Sequence, residues 1–270
     1  MVFLTGVQVK RETSQRLVCL SAEAALICYQ LGAWDQVVGV TAYAPSNLPP
    51  RPIVSGFSAA NIQKIRGLDP NLILLFSDVQ ADIARALIRA GYQVLALNPR
   101  SISEIAATIH LIGRITGLEE AGEMLAESFL ASIENLRYHP VARPRVYFEE
   151  WDDPLICGIE WVDELINVAG GANVFPTHAK PLAEQRVLSS DEVISKDPEI
   201  ILASWCGKRV NLESICSRPG WSTIRAVKNG NVYAIDSEKI LQAGPRLVEG
   251  LVEIRDIVQN WRARFKDPRA

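Results

Sequence analysis

The segment EEWDD (149–153) packs four carboxylates around one tryptophan. Acidic side chains at this density could hold a hard cation, supply a general acid–base pair, or accept hydrogen bonds from a ligand's N–H groups. No second acidic cluster answers it and no histidine stands near it in sequence, which favours hydrogen bonding to a ligand. The chain has three histidines. His110 lies in an apolar helical stretch and His139 in a proline-rich connection, both structural settings. His178 sits in the turn-rich segment FPTHAKPLAEQR (175–186), as a loop histidine or as the candidate axial ligand to a metal centre inside a bound molecule, since neutral imidazole is the commonest protein metal ligand. Cys206, beside Trp205, has no partner at metal-ligand spacing. Phosphate-binding glycine loops, nucleophile elbows and HExxH zinc helices are absent from the sequence. Binding therefore outranks catalysis, and an enzyme using His178, Glu150 and Asp152 is the lesser reading.

These side chains need elements to position them. Short apolar runs, RLVCLS (16–21), VVGV (37–40), NLILLF (71–76) and QVLAL (93–97), alternate with stretches of helical spacing such as AEAALICYQLG and ADIARALIRAG. Such alternation predicts parallel strands joined by helices. From 101 to about 137 the strand signal stops and two helical stretches follow, the second acidic at its start and about 20 residues, or ~30 Å, long. After Pro144 the alternation resumes with RVYFEEW, EIILAS and NVYAID.

One local phrase occurs twice. QKIRGLDPNLILLFSD (63–78) and DEVISKDPEIILASWC (191–206) each run a helix into Asp-Pro and then into an apolar strand. Asp69 matches Asp197, and Leu72-Ile73-Leu74 matches Ile200-Ile201-Leu202. GYQVLALNP and NGNVYAID follow in the same order. Two similar α/β lobes are expected: residues 1–100, a helical linker over 101–142, and residues 143–270. In parallel sheets ligands bind beyond the carboxyl ends of the strands. That rule selects Tyr43, Phe57, Ser77, Trp151, Asp152, Trp205 and Ser237, with Trp161 close by. Aromatic rings gathered there suit a large planar or greasy ligand, or else plug the edges of the lobes.

The composition fits an ordinary globular chain, 48% hydrophobic and 22% charged with a net charge of −3. Nothing in it resembles the basic face of a nucleic-acid binder. No apolar run reaches the ~20 residues of a membrane span. The five cysteines are odd in number and form no CxxC pair, which argues against a disulfide framework. With no export signal recognisable after Met1, a cytoplasmic location is expected, the alternative being periplasmic or cell-surface after removal of a leader.

Taken in order, VVGVTAYAPSNLPP, NIQKIRGLDPNLIL, GRITG, NVAGGANVF, LSSDEVISKDPEIIL, RPGWSTIRAVKNGNVYAID and GPRLVEGL resemble the substrate-binding proteins of ABC importers for vitamin B12, haem and iron–siderophores, over almost the whole chain. The resemblance implies two Rossmann-like α/β lobes joined by a single long helix, with a ligand cleft between lobes and no enzymatic activity. The first lobe looks most like the cobalamin-binding branch. By that resemblance a corrinoid would lie with Tyr43 and Phe57 on one side and Trp151 and Trp205 on the other, its amides meeting Ser77, Asp152 and Ser237. The alternative ligands, haem or an iron–siderophore, would call on arginines such as Arg246. Members that dock on a permease carry an acidic residue seven positions before the proline of each Asp-Pro unit. Here those positions are Gln63 and Asp191, so docking on a permease would be weakened at Gln63, which cannot form a charge-assisted, bidentate pair with arginine.

Overall fold

The protein is represented by a computed structural model that describes residues 15–177 and 182–266. The chain divides into two compact units, Met1–Asn98 with Ile115–Leu118, and Pro99–Arg114 with Glu119–Ala270. The helical stretch at 101–142 is thus shared between the units, most of it belonging to the second.

The first unit contains β1 (Leu17–Cys19), α1 (Ala22–Gln30), β2 (Val37–Thr41), β3 (Ile53–Ser55), α2 (Ile62–Gly67), β4 (Leu72–Phe76), α3 (Ala81–Arg89) and β5 (Val94–Leu97). Its sheet has the order β3-β2-β1-β4-β5 and every pairing is parallel. Leu17, Val18, Cys19, Ile73, Leu74 and Leu75 have no exposure at all, as expected of parallel strands covered on both faces. Helix starts are set by side chains. Ser21 Oγ accepts from the Ala24 N–H at 3.1 Å, and Asn61 Oδ1 from the Lys64 N–H at 2.9 Å, each satisfying a donor that the helix itself leaves unpaired. Gly39 lies in β2 because a Cβ there would come within 2.6 Å of Leu68 Cδ1, where the end of α2 packs on the sheet.

Two helices follow, α4 (Ile102–Thr116) and α5 (Glu119–Asn135). Gly117, at φ +74°, turns the chain between them, a conformation that suits a residue without a Cβ. A Cβ on Gly122 would lie 3.0 Å from Gly113 Cα, so the paired glycines allow the helices a close crossing. In the second unit the Ile102 N–H donates to the Glu164 carboxylate at 2.6 Å, and the Trp161 N–H to the Arg100 carbonyl at 2.9 Å. In the first, Gln36 Nε2 donates to the Thr116 carbonyl at 2.9 Å.

The second unit continues with β6 (Arg145–Asp152), β7 (Leu155–Cys157), α6 (Glu160–Val168), β8 (Ala172–Asn173), β9 (Val187–Leu188), α7 (Ser190–Lys196), β10 (Ile200–Ala203), α8 (Leu212–Cys216), α9 (Arg225–Lys228), β11 (Val232–Ala234), α10 (Ser237–Ile240) and α11 (Leu247–Lys266). Its sheet runs β11-β10-β6-β7-β9, with β8 also paired to β6. The pairings of β10 with β11 and β6 are parallel, whereas β7 pairs antiparallel with β6 and β9. A reciprocal cap opens α7: the Ser189 N–H donates to Glu192 Oε2 at 2.8 Å, and the Glu192 N–H to Ser189 Oγ at 3.3 Å. Around this sheet Tyr147, Trp205, Ile215 and Trp221 belong to one buried apolar cluster.

The repeated phrase has one backbone form. Asp69 and Asp197 adopt φ values of +46° and +42°, the left-handed region that few residues other than glycine enter. The strands that follow pair in matching register, Leu72 with Leu17 and Ile200 with Val146.

Candidate functional site

In the first unit the rings stand where the parallel strands end. Tyr43 follows β2 and is 46% exposed, and Phe57 follows β3 and is 38% exposed. Their centroids are 6.1 Å apart at an interplanar angle of 79°, and Phe57 lies 5.6 Å from Phe76, the last residue of β4. The outcome is a continuous three-ring face. It is fastened from below by Gln80, whose side chain is almost wholly buried. Its Nε2 donates to the Leu20 carbonyl at 3.1 Å and the Phe57 carbonyl at 3.3 Å, while its Oε1 accepts from the Phe76 N–H at 3.1 Å. One amide thus ties the ends of β1 and β4 to the loop after β3. Ser77 has φ +37° and its hydroxyl accepts from the Val79 N–H at 3.4 Å, so it shapes the turn leaving β4.

The strand order reverses direction at β1 and β4, the place where open parallel sheets form a crevice. Glu23, in the first turn of α1, stands at that point. Burial pushes its carboxyl above the ordinary value, opposed by hydrogen bonds from its own N–H and from Ser21.

In the second unit β6 outruns β10 and carries three of the four carboxylates of the acidic segment, Glu149, Glu150 and Asp152, each with a cation. Glu149, with no exposure, accepts from Arg218 Nη1 and Nη2 at 2.5 and 2.9 Å, from Trp205 Nε1 at 3.2 Å and from the Tyr147 hydroxyl at 3.3 Å. Burial, and then the charge of Glu149, push the Tyr147 phenol well up. Glu150 pairs with the buried Arg186. Asp152 Oδ2 lies 2.7 Å from Lys208 Nζ, and that ammonium sits 5.3 Å from the centroid of Trp151 and 4.8 Å from that of Trp205. Among the described residues no group of three or more His, Cys, Asp or Glu side chains could hold a metal ion. Three dispersed ion pairs thus occupy Glu149, Glu150 and Asp152, and the hard-cation alternative for EEWDD finds no ligand group there.

The remaining expected positions fall in different settings. Trp161 and Trp205 are 6% and 2% exposed, which corrects their assignment as ring faces open to a ligand. Both indole N–H groups have internal acceptors, the Ile240 carbonyl at 2.9 Å for Trp161 and Glu149 for Trp205, and this holds the rings in the core. Trp151 is half-buried, its Nε1 donating to the Asp153 carbonyl at 3.0 Å. Ser237 begins α10 behind the cap formed by Asp236. Arg246 is paired with Glu238 and with Glu249, so its guanidinium is already neutralised. Gln63 on α2 and Asp191 on α7 are exposed. His178 lies outside the described residues. Phe76, Gln80 and Lys208 were not anticipated. Phe76 ends a strand-like run and was legible in principle, but Leu20 and Phe57, which Gln80 also bonds, and Asp152, which Lys208 bonds, are too distant in sequence to be seen there.

Two α/β units, each built on a sheet that contains parallel strands, define the architecture, and comparison with known proteins places the chain within one group. Residues 17–239 match the family of periplasmic binding proteins, Peripla_BP_2, and the chain belongs to it. An uncharacterized ABC transporter substrate-binding lipoprotein, YvrC, of Bacillus subtilis (strain 168) is 29% identical, covering 93% of this chain and 82% of its own. A cobalamin-binding protein of Halobacterium salinarum (strain ATCC 29341 / DSM 671 / R1) is 28% identical over 91% of this chain and 70% of its own. The structure of the periplasmic heme-binding protein RhuT from Roseiflexus sp. RS-1 superposes with a TM-score of 0.77 at 22% identity, covering 92% of this chain and 99% of that one. The family consists of substrate-binding transport proteins, not enzymes. No helix among the described residues is long and apolar enough to cross a membrane. A cytoplasmic location finds no support, since the relative YvrC is described as a lipoprotein.

Proposed function

We propose that the protein binds a corrinoid, a cobalamin-like ligand, and presents it to an ABC importer outside the cytoplasmic membrane. The observation that carries this reading is the face of Tyr43, Phe57 and Phe76 at the carboxyl ends of β2, β3 and β4. Two of these rings expose more than a third of their surface to solvent, an arrangement suited to the flat face of a macrocycle. The cobalamin-binding relative supports the same choice. Within the second unit, Trp151, Asp152 and Ser237 stand at or just after strand ends, with Trp161 and Trp205 in the core. The two neutralised contacts of Arg246 leave it poorly placed to receive the carboxylate of haem or of a siderophore. Docking on a permease would use Asp191 as the charged contact, with Gln63 supplying a weaker, neutral one.

Calorimetric titration with cobalamin tests the proposal. Binding that weakens about two- to tenfold in Tyr43→Ala and again in Phe57→Ala is expected, the scale of a ring contact beyond area burial. Heat on adding haem and none on adding corrinoids would replace the ligand.

A further inference from the structure

We propose that the outer edge of the first unit pairs with a second copy of this chain, β5 against β5 and α3 against α3, about a two-fold axis.

The two edges of the first sheet are finished differently. β3 follows Pro49-Pro50-Arg51-Pro52, its ladder with β2 shifts register, and Ser55 forms a bridge with Ala60. Prolines and broken registers make an edge strand unfit for further pairing. β5 has neither. Its residues, VLAL, carry no charge, and it ends the sheet beyond β4. The Ile73 N–H donates to the Gln93 carbonyl at 3.0 Å, and the Ser77 N–H to the Leu97 carbonyl at 3.1 Å. Odd-numbered residues of β5 thus turn their backbone groups to β4, while those of Val94 and Ala96 turn outward. Among the described residues no strand other than β4 pairs with β5.

Beside that edge a groove of about 620 Å³ runs between α3 and β5. Leu75 and Ala96 line it from the sheet, and Ala81, Ala84 and Ile88 from the helix. Ile83 and Leu87, on the inner side of α3, are buried with Ile73 and Leu75, whereas Ile88 is 59% exposed. The alanines leave a slot and the isoleucine is a knob.

A two-fold axis near Leu95, normal to the sheet, answers slot, knob and edge together. Val94 then stands opposite Ala96 of the second copy, and each outward N–H meets a carbonyl. Strands ~4.8 Å apart place two helices that overlie β4 and β5 about 10 Å apart, a helix-packing distance. Because these helices run antiparallel, Ile88 of one copy enters the alanine slot of the other. Charge agrees with the same axis. α3 is acidic at its start, Asp82, and basic towards its end, Arg85 and Arg89. Asp82 and Arg85 form an exposed pair at 3.0 Å within one copy, which contributes little and can exchange for contacts across the axis. A peptide of either charge would complement only one end of α3; a second copy complements both. The carboxyl-end rims of the two copies then point in opposite directions, which leaves both ring faces uncovered.

Sedimentation of the full chain from ~1 to ~500 μM tests the proposal, with a dimer of Kd ~10–100 μM expected for a small interface. Ile88→Asp should weaken association about tenfold or more, since it sets two carboxylates in an apolar contact. Ala96→Pro should act likewise, because it removes an outward N–H and spares the ladder to β4. If Ala96→Pro does not fold, Ile88→Asp decides alone. Asp82→Lys, and Arg85→Glu combined with Arg89→Glu, should each associate less than the wild type. Their equimolar mixture should recover the dimer, because the mixed pair has opposite charges at both ends. A chain that stays monomeric over this range, which would leave the groove to another occupant, overturns the proposal. So does a dimer indifferent to Ile88→Asp, or a mixture that does not recover.

Discussion

The two units fasten the carboxyl ends of their strands with different chemistry. In the first, the fastener is Gln80, a neutral amide that bonds to backbone groups at the ends of β1, β3 and β4. In the second, it is Glu149, a buried carboxylate that gathers side chains: Arg218, Trp205 and Tyr147. Below these ends the scaffolds agree closely. The Arg16 N–H donates to Asn71 Oδ1 and the Arg145 N–H to Glu199 Oε2, while the Asn71 and Glu199 N–H groups bond back to the Arg16 and Arg145 carbonyls. The Arg16 guanidinium caps the Leu68 carbonyl, and that of Arg145 caps the Lys196 carbonyl. One helix-to-strand device thus supports two different rims. A neutral fastener leaves the rings above it turned toward solvent. A charged one draws an indole inward as a hydrogen-bond donor.

The difference is tested most severely at Glu149. Replacing it with alanine leaves Arg218 partly buried without its counter-charge, and removing one member of a buried pair costs roughly 3–5 kcal/mol. Chemical denaturation should show that loss. It should also release Trp205, seen as a red-shifted tryptophan emission under native conditions. A loss below 1 kcal/mol would mean that the charge network does not hold the rim.

The counterpart in the first unit is Gln80→Leu, which keeps the volume and removes every hydrogen bond. The Leu20 and Phe57 carbonyls and the Phe76 N–H would lose a partner, at a cost of about 1–3 kcal/mol. Ligand affinity should fall with it, because Phe57 and Phe76 lose their common anchor. Intact affinity in a folded Gln80→Leu protein would show that the ring face stands without this amide.

Much of the scaffold was legible in the sequence, and less of the rim. The Asp-Pro echo announced a repeated helix-to-strand unit because a tight backbone turn depends on residues adjacent in the chain. Tyr43 and Phe57 were legible as strand-end residues for the same reason. Trp161 and Trp205 were misread because strand-end position does not decide which way a ring points. Their acceptors, the Ile240 carbonyl and Glu149, lie 79 and 56 residues away. Lys208 was invisible because its value comes from Asp152, also 56 residues distant. The carboxylate run 149–153 looked like a cluster because sequence gives proximity but not the cations inserted between its members.

The smallest effect separates the two aspartates of the echo. Both hold a left-handed backbone angle, but their side chains differ in use. Asp197 accepts from the Arg225 N–H at 2.8 Å and from its Nε at 2.7 Å, whereas Asp69 is an exposed residue at the end of α2. Glycine relieves the backbone in both places and adds freedom to the unfolded chain, and these opposing terms nearly cancel. Asp69→Gly should therefore leave stability within about 0.5 kcal/mol of the parent, and Asp197→Gly should fall about 1 kcal/mol below it. The gap must also depend on pH. Partial burial acts to raise the Asp197 carboxyl, but the hydrogen bonds and charge of Arg225 outweigh it and hold the group below its ordinary value. A carboxyl depressed on folding contributes stability above its unfolded pKa, near ~3.9, and loses it as pH falls through the folded value. Denaturation midpoints of the two glycine variants should thus converge below about pH 3.9 and separate above it. A gap that persists undiminished in acid would assign the difference to backbone strain alone.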